Sequence, residues 1–133
     1  MKKINTLCLV DDDDTFVFLT QKIIKHTSLV NQIKIFSNGL DAINFLKAVQ
    51  NKQEELPEII LLDLSMPIMD GWEFLEEYLL LKPRFGKKII IYIVSSSINP
   101  VDVQKAKSIS AVTDFIIKPV TKEKLIRMIK NLQ

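Results

Sequence analysis

Ile59-Ile60-Leu61-Leu62-Asp63-Leu64-Ser65-Met66-Pro67-Ile68-Met69-Asp70-Gly71 is the stretch on which the fold turns. An aliphatic run this short, bounded by turn residues, reads as a strand buried on both faces. The carboxylate of Asp63 at its end is a charge held at the lip of that strand. The strand supplies no countercharge, so the site must be completed from elsewhere in the fold. Near the start of the chain, Thr6-Leu7-Cys8-Leu9-Val10 ends in Asp11-Asp12-Asp13-Asp14. Two apolar strands, each ending in acid, point to one acidic pocket at one edge of a parallel sheet.

Working outward, apolar and amphipathic runs alternate along the whole chain. Residues 5–10 read as a buried strand and 14–27 as a helix. On that helix Phe16, Leu19 and Ile23 form the expected core stripe, with Thr20 and Ile24 beside it. Any of Asp12 to Asp14 can cap it, Asp13 or Asp14 being favoured. A weaker strand is expected at 33–36, then turn chemistry at Ser37-Asn38-Gly39 and a helix over 39–50 carrying Leu40, Ile43, Leu46 and Val49. Asn51 to Glu55 reads as an exposed linker before Pro57 and the central strand 58–63. A helix over 71–81 ends at Lys82-Pro83-Arg84-Phe85-Gly86. Ile89 to Val94 is β-branched and uncharged, hence a strand, closed by Ser95-Ser96-Ser97. Asn99-Pro100 opens a short helix to about Lys107; Phe115-Ile116-Ile117 is a last strand, stopped by Lys118-Pro119. Thr121 caps a final helix that buries Leu125, Met128, Ile129 and Leu132. Five βα units in succession predict an α/β fold, a parallel sheet with helices on both faces. Ligands of such sheets bind beyond the carboxyl ends of the strands, and Asp11, Asp12, Asp63, Ser95 and Lys118 all fall at such ends.

Composition narrows the classes. The 133 residues suffice for one domain, and 47% apolar with 26% charged residues is ordinary for a globular one. A net charge of +2 gives no argument for nucleic acid or a membrane surface. Cys8 is the single cysteine, so no internal disulfide can form. Neither a signal peptide nor an apolar run of membrane-spanning length is present, and the cytoplasm is the expected compartment. The single histidine, His26, falls near the end of the first helix, where it suits the helix dipole.

Clustered carboxylates repel, and a hard divalent cation such as Mg2+ relieves that repulsion. A metal alone would leave Lys118 and Ser95 without a purpose. Both become intelligible if a phosphoryl group joins the site: the metal, the Lys118 ammonium and the Ser95 hydroxyl would each take a phosphoryl oxygen. Asp63 would then be the nucleophile, forming an aspartyl-phosphate.

Val10-Asp11-Asp12, the Asp63 to Gly71 segment, Val94-Ser95-Ser96 and Ile117-Lys118-Pro119 together resemble the receiver domain of two-component response regulators. The resemblance covers nearly the whole chain, in order, and Met-Pro-x-Met-Asp-Gly is its most specific part. It implies a doubly wound, flavodoxin-like (CheY-like) sheet of five parallel strands in the order 2-1-3-4-5 with five helices. It implies Asp63 as phosphoacceptor, Asp11 and Asp12 as the acidic pair with Asp12 the direct metal ligand, and the Ser65 backbone carbonyl as a further ligand. Ser95 would be the switch hydroxyl, Lys118 the phosphate partner and Phe115 the switch aromatic. The family often has a cis bond before the proline at Pro119. It implies a sensor histidine kinase or histidine phosphotransfer protein as donor. The pattern departs in having Phe115 rather than tyrosine, and extra length around Ala48 to Leu56. The chain ends about where a receiver ends, so a single receiver domain over 1–133 without an output domain is expected, acting on an unknown downstream protein by contact. Trp72 to Leu75 resembles stand-alone receivers that partner phytochrome-type kinases.

Two rival classes fit part of the pattern. A pseudo-receiver would bind without phosphoryl transfer, but all site positions are intact. A haloacid-dehalogenase-like phosphatase needs a second acid two residues after the nucleophile, where this chain has Ser65. Phe18 falls opposite the expected core stripe of the first helix; with Val17 it is a candidate contact for the kinase or for a second copy in a homodimer.

Overall fold

Hydrophobic alternation builds the sheet. In the computed structural model, which describes residues 2–96 and 99–132, Cys8, Val10, Ile60, Leu62, Ile91 and Ile93 enter one apolar layer, and Leu7, Leu9, Ile59, Leu61, Tyr92 and Val94 enter another. A period of two that is apolar on both faces requires helices on both sides. The elements follow as β1 (Ile4–Val10), α1 (Asp14–Thr27), β2 (Val30–Phe36), α2 (Gly39–Val49), β3 (Ile59–Leu62), α3 (Gly71–Leu81), β4 (Ile90–Ser95), α4 (Pro100–Lys107), β5 (Val112–Ile117) and α5 (Lys122–Leu132). All strand pairs are parallel, in the order β2-β1-β3-β4-β5. The first layer takes residues of α2, α3 and α4; the second takes residues of α1 and α5. This is the flavodoxin-like arrangement with five helices that the sequence implies.

The differences from the sequence reading sit at the edges. β2 begins at Val30 and β5 at Val112, each three residues earlier than expected. Asn31, Gln32, Thr113 and Asp114 are exposed; an edge strand is held by one neighbour and need not be apolar throughout. On α1 the buried residues are Phe16, Thr20 and Ile24, while Leu19 is 53% exposed. The row spaced by four residues, not the larger side chain, faces the sheet. Leu40 is likewise exposed and Ala42 takes its place in the core. Asp13 caps α1, its Oδ1 accepting from the amides of Thr15 and Phe16 at 3.1 Å each. Thr121 caps α5 as expected, through the Lys124 amide at 3.2 Å. Ser97, read as closing the fourth strand, lies outside the described residues, as do Met1, Ile98 and Gln133.

The segment between α2 and β3 is exposed over Asn51 to Glu55 but is pinned from its middle to its C-terminal end. Leu56 is fully buried. The Lys87 ammonium donates to the carbonyls of Gln53 at 3.0 Å and Leu56 at 2.8 Å, and pairs with Glu58 at 3.4 Å. Asn5 Nδ2 donates to the Glu54 carbonyl at 2.8 Å. The extra length is therefore a docked loop, and β3 enters the sheet at a fixed register. Among the described residues no helix is long and apolar enough to cross a membrane. Replacing Leu56 by Ala empties a buried site at the loop's anchor; a loss of about 2 to 4 kcal/mol is expected in urea unfolding. Glu55→Ala, on the exposed part, should fall within about 0.5 kcal/mol of the parent.

Candidate functional site

The sheet register delivers the acids. Val10 of β1 is opposite Leu62 of β3. One residue on, the Asp63 amide donates to the Val10 carbonyl at 2.9 Å, and the Asp11 amide donates to the Phe36 carbonyl of β2 at 2.9 Å. Asp11 and Asp63 are thus neighbours one step past the strand ends. Both are buried, whereas Asp12 is exposed. One carboxylate oxygen from each of Asp11, Asp12 and Asp63 lies within 4.8 Å of the others.

The amine arrives the same way from the other half of the sheet. Ser95 of β4 is opposite Ile117 of β5, and the Lys118 amide donates to the Ser95 carbonyl at 2.8 Å. The peptide bond from Lys118 to Pro119 is cis. The Lys118 ammonium is 2.9 Å from Asp11 Oδ2 and 3.8 Å from Asp63 Oδ1. Asp11 Oδ1 accepts from the Asp13 amide at 2.9 Å. The four consecutive aspartates therefore divide their work: two face the pocket, Asp13 caps α1, and Asp14 lies in its first turn, where negative charge suits the helix dipole.

Gly71 is required by close approach. A Cβ there would fall on the Asp63 carbonyl oxygen and 2.9 Å from Leu64 Cα. Asp70 caps α3, accepting from the Glu73 amide at 2.9 Å while its own amide donates to Glu73 Oε1 at 3.1 Å. The Met-Pro-x-Met-Asp-Gly segment thus folds the chain tightly back across the end of β3 and starts α3.

Of the remaining sequence candidates, Ser95 is half-buried at the end of β4, and Ser65 is exposed beyond β3. Phe115 is half-buried on β5, packed on the α2–α4 side of the core and lining a cavity with Ala106 of α4. Phe18 is 55% exposed, with the Lys22 ammonium 4.7 Å from its ring. Leu19 beside it is exposed too, and Val17 is half-buried. Trp72, the residue after Gly71, carries the Lys105 ammonium 4.4 Å from its ring. His26 is exposed in the last turn of α1. One contact had no signal in the sequence: the Lys118 ammonium lies 4.3 Å from the centroid of the Phe16 ring.

Electrostatics mark Asp63. Its carboxyl is pushed up from 3.8 to about 6, first by burial and then by the Asp11 charge, with a smaller push from Asp12; Lys118 and the Leu64 amide pull the other way. An acid that holds its proton more tightly folded than unfolded favours the fold at low pH. That advantage is lost as pH rises through the unfolded value towards the folded one, leaving a penalty of about 2 to 3 kcal/mol above pH 6. With divalent cations chelated, Asp63→Asn should be more stable than the parent by that amount at pH 8 in urea unfolding. The gain should shrink as pH falls below about 6. A gain equal at pH 8 and at about pH 4 would contradict the assignment.

The comparisons agree with this geometry. The response regulator receiver domain profile matches residues 7–130. A crystal structure of a two-component response regulator from Cytophaga hutchinsonii is 34% identical, with 98% of each chain covered and a TM-score of 0.86. The phosphorylated cyanobacterial phytochrome response regulator RcpA is 25% identical over 96% of this chain and 90% of its own, with a TM-score of 0.74. The Mn2+-bound form of response regulator Rcp1 is 28% identical over 96% of this chain and 91% of its own, with a TM-score of 0.70. With a matching profile over almost all of its length, this chain belongs to the response regulator receiver domains of two-component systems.

Proposed function

We propose that the chain accepts a phosphoryl group on Asp63 from a sensor histidine kinase or a histidine phosphotransfer protein, with Mg2+ bound, and signals by contact with another protein. The observation that carries this reading is the convergence of Asp11, Asp12, Asp63 and Lys118 from the ends of three strands, β1, β3 and β5, on one pocket. Three carboxylates with one ammonium leave an excess of negative charge that suits a hard divalent cation. Asp11, Asp12 and Asp63, with the Ser65 backbone carbonyl, would hold Mg2+, which would neutralise charge on the phosphoryl oxygens when bound.

An Asp63 carboxylate oxygen attacks the phosphorus of the donor phosphohistidine. The P–N bond breaks, its electrons return to the imidazole, and an acyl phosphate forms. With its carboxyl at about 6, Asp63 is largely ionised at neutral pH and available as the nucleophile. Lys118, already within the pocket, pairs with a phosphoryl oxygen, and Ser95 donates its hydroxyl to another. Phe115 moves with β5 as Ser95 and Lys118 are drawn in, which changes the surface of α4, β5 and α5 offered to a partner. Water later attacks the phosphorus, breaks the P–O bond to Asp63 and releases inorganic phosphate. Ser65 at the second position after the nucleophile gives no general acid for an external substrate, which supports a switch over a phosphatase. Exposed Phe18 fits a contact with the donor protein or with a second copy.

Radiolabelled acetyl phosphate with Mg2+ should place a hydroxylamine-labile label on the parent protein and none on Asp63→Asn; full labelling of that variant would identify a different acceptor. Mg2+ should also change Trp72 fluorescence in the parent, and a pocket that only binds without metal would give no change. Phe18→Ala should slow transfer from a histidine donor, or weaken self-association, by about fivefold or more. If both quantities match the parent, the Phe18 contact does not exist.

A further inference from the structure

The Lys118 ammonium has two kinds of electronegative partner, carboxylates and an aromatic face. It lies 2.9 Å from Asp11 Oδ2 and 4.3 Å from the Phe16 ring centroid. Neither the ring nor the cation is well hydrated: Phe16 is 8% exposed and the Lys118 side chain 13%. A ring face attracts a cation through its quadrupole, and the attraction grows as water is excluded. The backbone beneath the ring is fixed to the acidic turn. Asp11 Oδ1 accepts from the Asp13 amide, and Asp13 Oδ1 accepts from the Phe16 amide. Ring, Asp11 and ammonium are therefore held as one unit, although residues 16 and 118 are far apart in the chain. An aliphatic residue at position 16 would keep an apolar side chain in the core and offer no face to the cation.

We propose that Phe16 is a positioning residue for Lys118: its ring holds the ammonium against Asp11 and so lowers the affinity of the acidic pocket for a divalent cation. This rests on reading Asp11, Asp12 and Asp63 as the metal site. A cation entering that site meets a like charge already seated on Asp11 Oδ2, competing for the same carboxylate. Whatever holds the ammonium in place must be overcome before the metal can take its position. A desolvated contact of this kind shifts an equilibrium by roughly two- to thirtyfold.

The test uses Phe16→Leu, which keeps an apolar core residue, and Phe16→Tyr, which keeps the ring. In the metal-free parent the Lys118 ε-methylene proton signals should be shifted upfield by the ring current. The shift should vanish in Phe16→Leu and persist in Phe16→Tyr. Mg2+, titrated by calorimetry, should bind Phe16→Leu about fivefold more tightly than the parent, with Phe16→Tyr unchanged. In a Lys118→Met background the same Phe16→Leu change should leave Mg2+ affinity where it was. An unshifted ε-methylene in the parent overturns the contact. Equal tightening with and without Lys118 shows that Phe16 acts by packing alone and overturns the proposal. A parent that binds no Mg2+ at millimolar concentration overturns the reading of the metal site instead, and the proton shift still judges the contact between ring and lysine.

Discussion

Two carboxylates placed side by side at the ends of adjacent parallel strands are the constraint to which the rest of this structure answers. Asp11 and Asp63 are buried, and neither strand carries a compensating charge. Their mutual repulsion and desolvation would expel one of them, or protonate it, if nothing else reached the pocket. Lys118 is that third party. Its own backbone is tied to Ser95 at the end of β4, so the countercharge for β1 and β3 is delivered by β4 and β5. The sheet thus brings the ends of β1, β3 and β5 to one edge, where the carboxylates of Asp11 and Asp63 meet the Lys118 ammonium. The Asp63 carboxyl is raised first by burial and then by the Asp11 charge, against the pull of Lys118, and a bound cation would pull it the same way as Lys118 does.

The apolar layers matter to the site because they set register. In a strand the faces alternate residue by residue, so a slip of one position between β1 and β3 would send Asp63 to the opposite side of the sheet from where it is needed. Both faces of β1, β3 and β4 are filled, which makes such a slip cost the whole core on both sides. The anchored loop before β3 adds to this. Lys87 grips two carbonyls and Glu58 just ahead of the strand, so the extra length upstream does not loosen the position of Asp63. The absence of a side chain at Gly71 serves the same end, since α3 has to start against the Asp63 carbonyl.

How much of this was legible in the sequence follows from how each feature is stabilised. The central strands and the acidic pocket could be read because two-sided burial demands unbroken apolar runs, and a charge ending such a run is conspicuous. The starts of β2 and β5 could not, because edge strands tolerate Asn31, Gln32, Thr113 and Asp114 on an open side. Leu19 misled for a related reason: helical periodicity gives the width of a stripe, and the docking angle on the sheet decides which row within it is buried. Asp13 as the cap was one of the two expected choices, and only the turn geometry separated them. The grip of Lys87 on the loop and the approach of Lys118 to Phe16 left no local trace. Both join residues distant in the chain, and a lysine that is folded inward looks in sequence like any solvated lysine.

Charge counting connects the resting pocket to its proposed use. Three carboxylates against one ammonium leave a formal excess of two negative charges when Asp63 is ionised. Bound Mg2+ would bring that total to zero. Phosphorylation of Asp63, as proposed, would replace its single charge by about two and make the pocket negative again at a point beyond the strand ends, where new donors would be needed. Lys118 is the cation already in the pocket, 2.9 Å from Asp11 Oδ2 and 3.8 Å from Asp63 Oδ1. That change in charge would draw Lys118 outward from Asp11 towards the new oxygens. Because the Lys118 amide is bonded to the Ser95 carbonyl, β4 and β5 would respond as a pair. The side of β5 that carries Phe115 faces α4. A shift of Lys118 on phosphorylation would thus have a mechanical route through β4 and β5 to α4, and that route would need no part of the core to unfold.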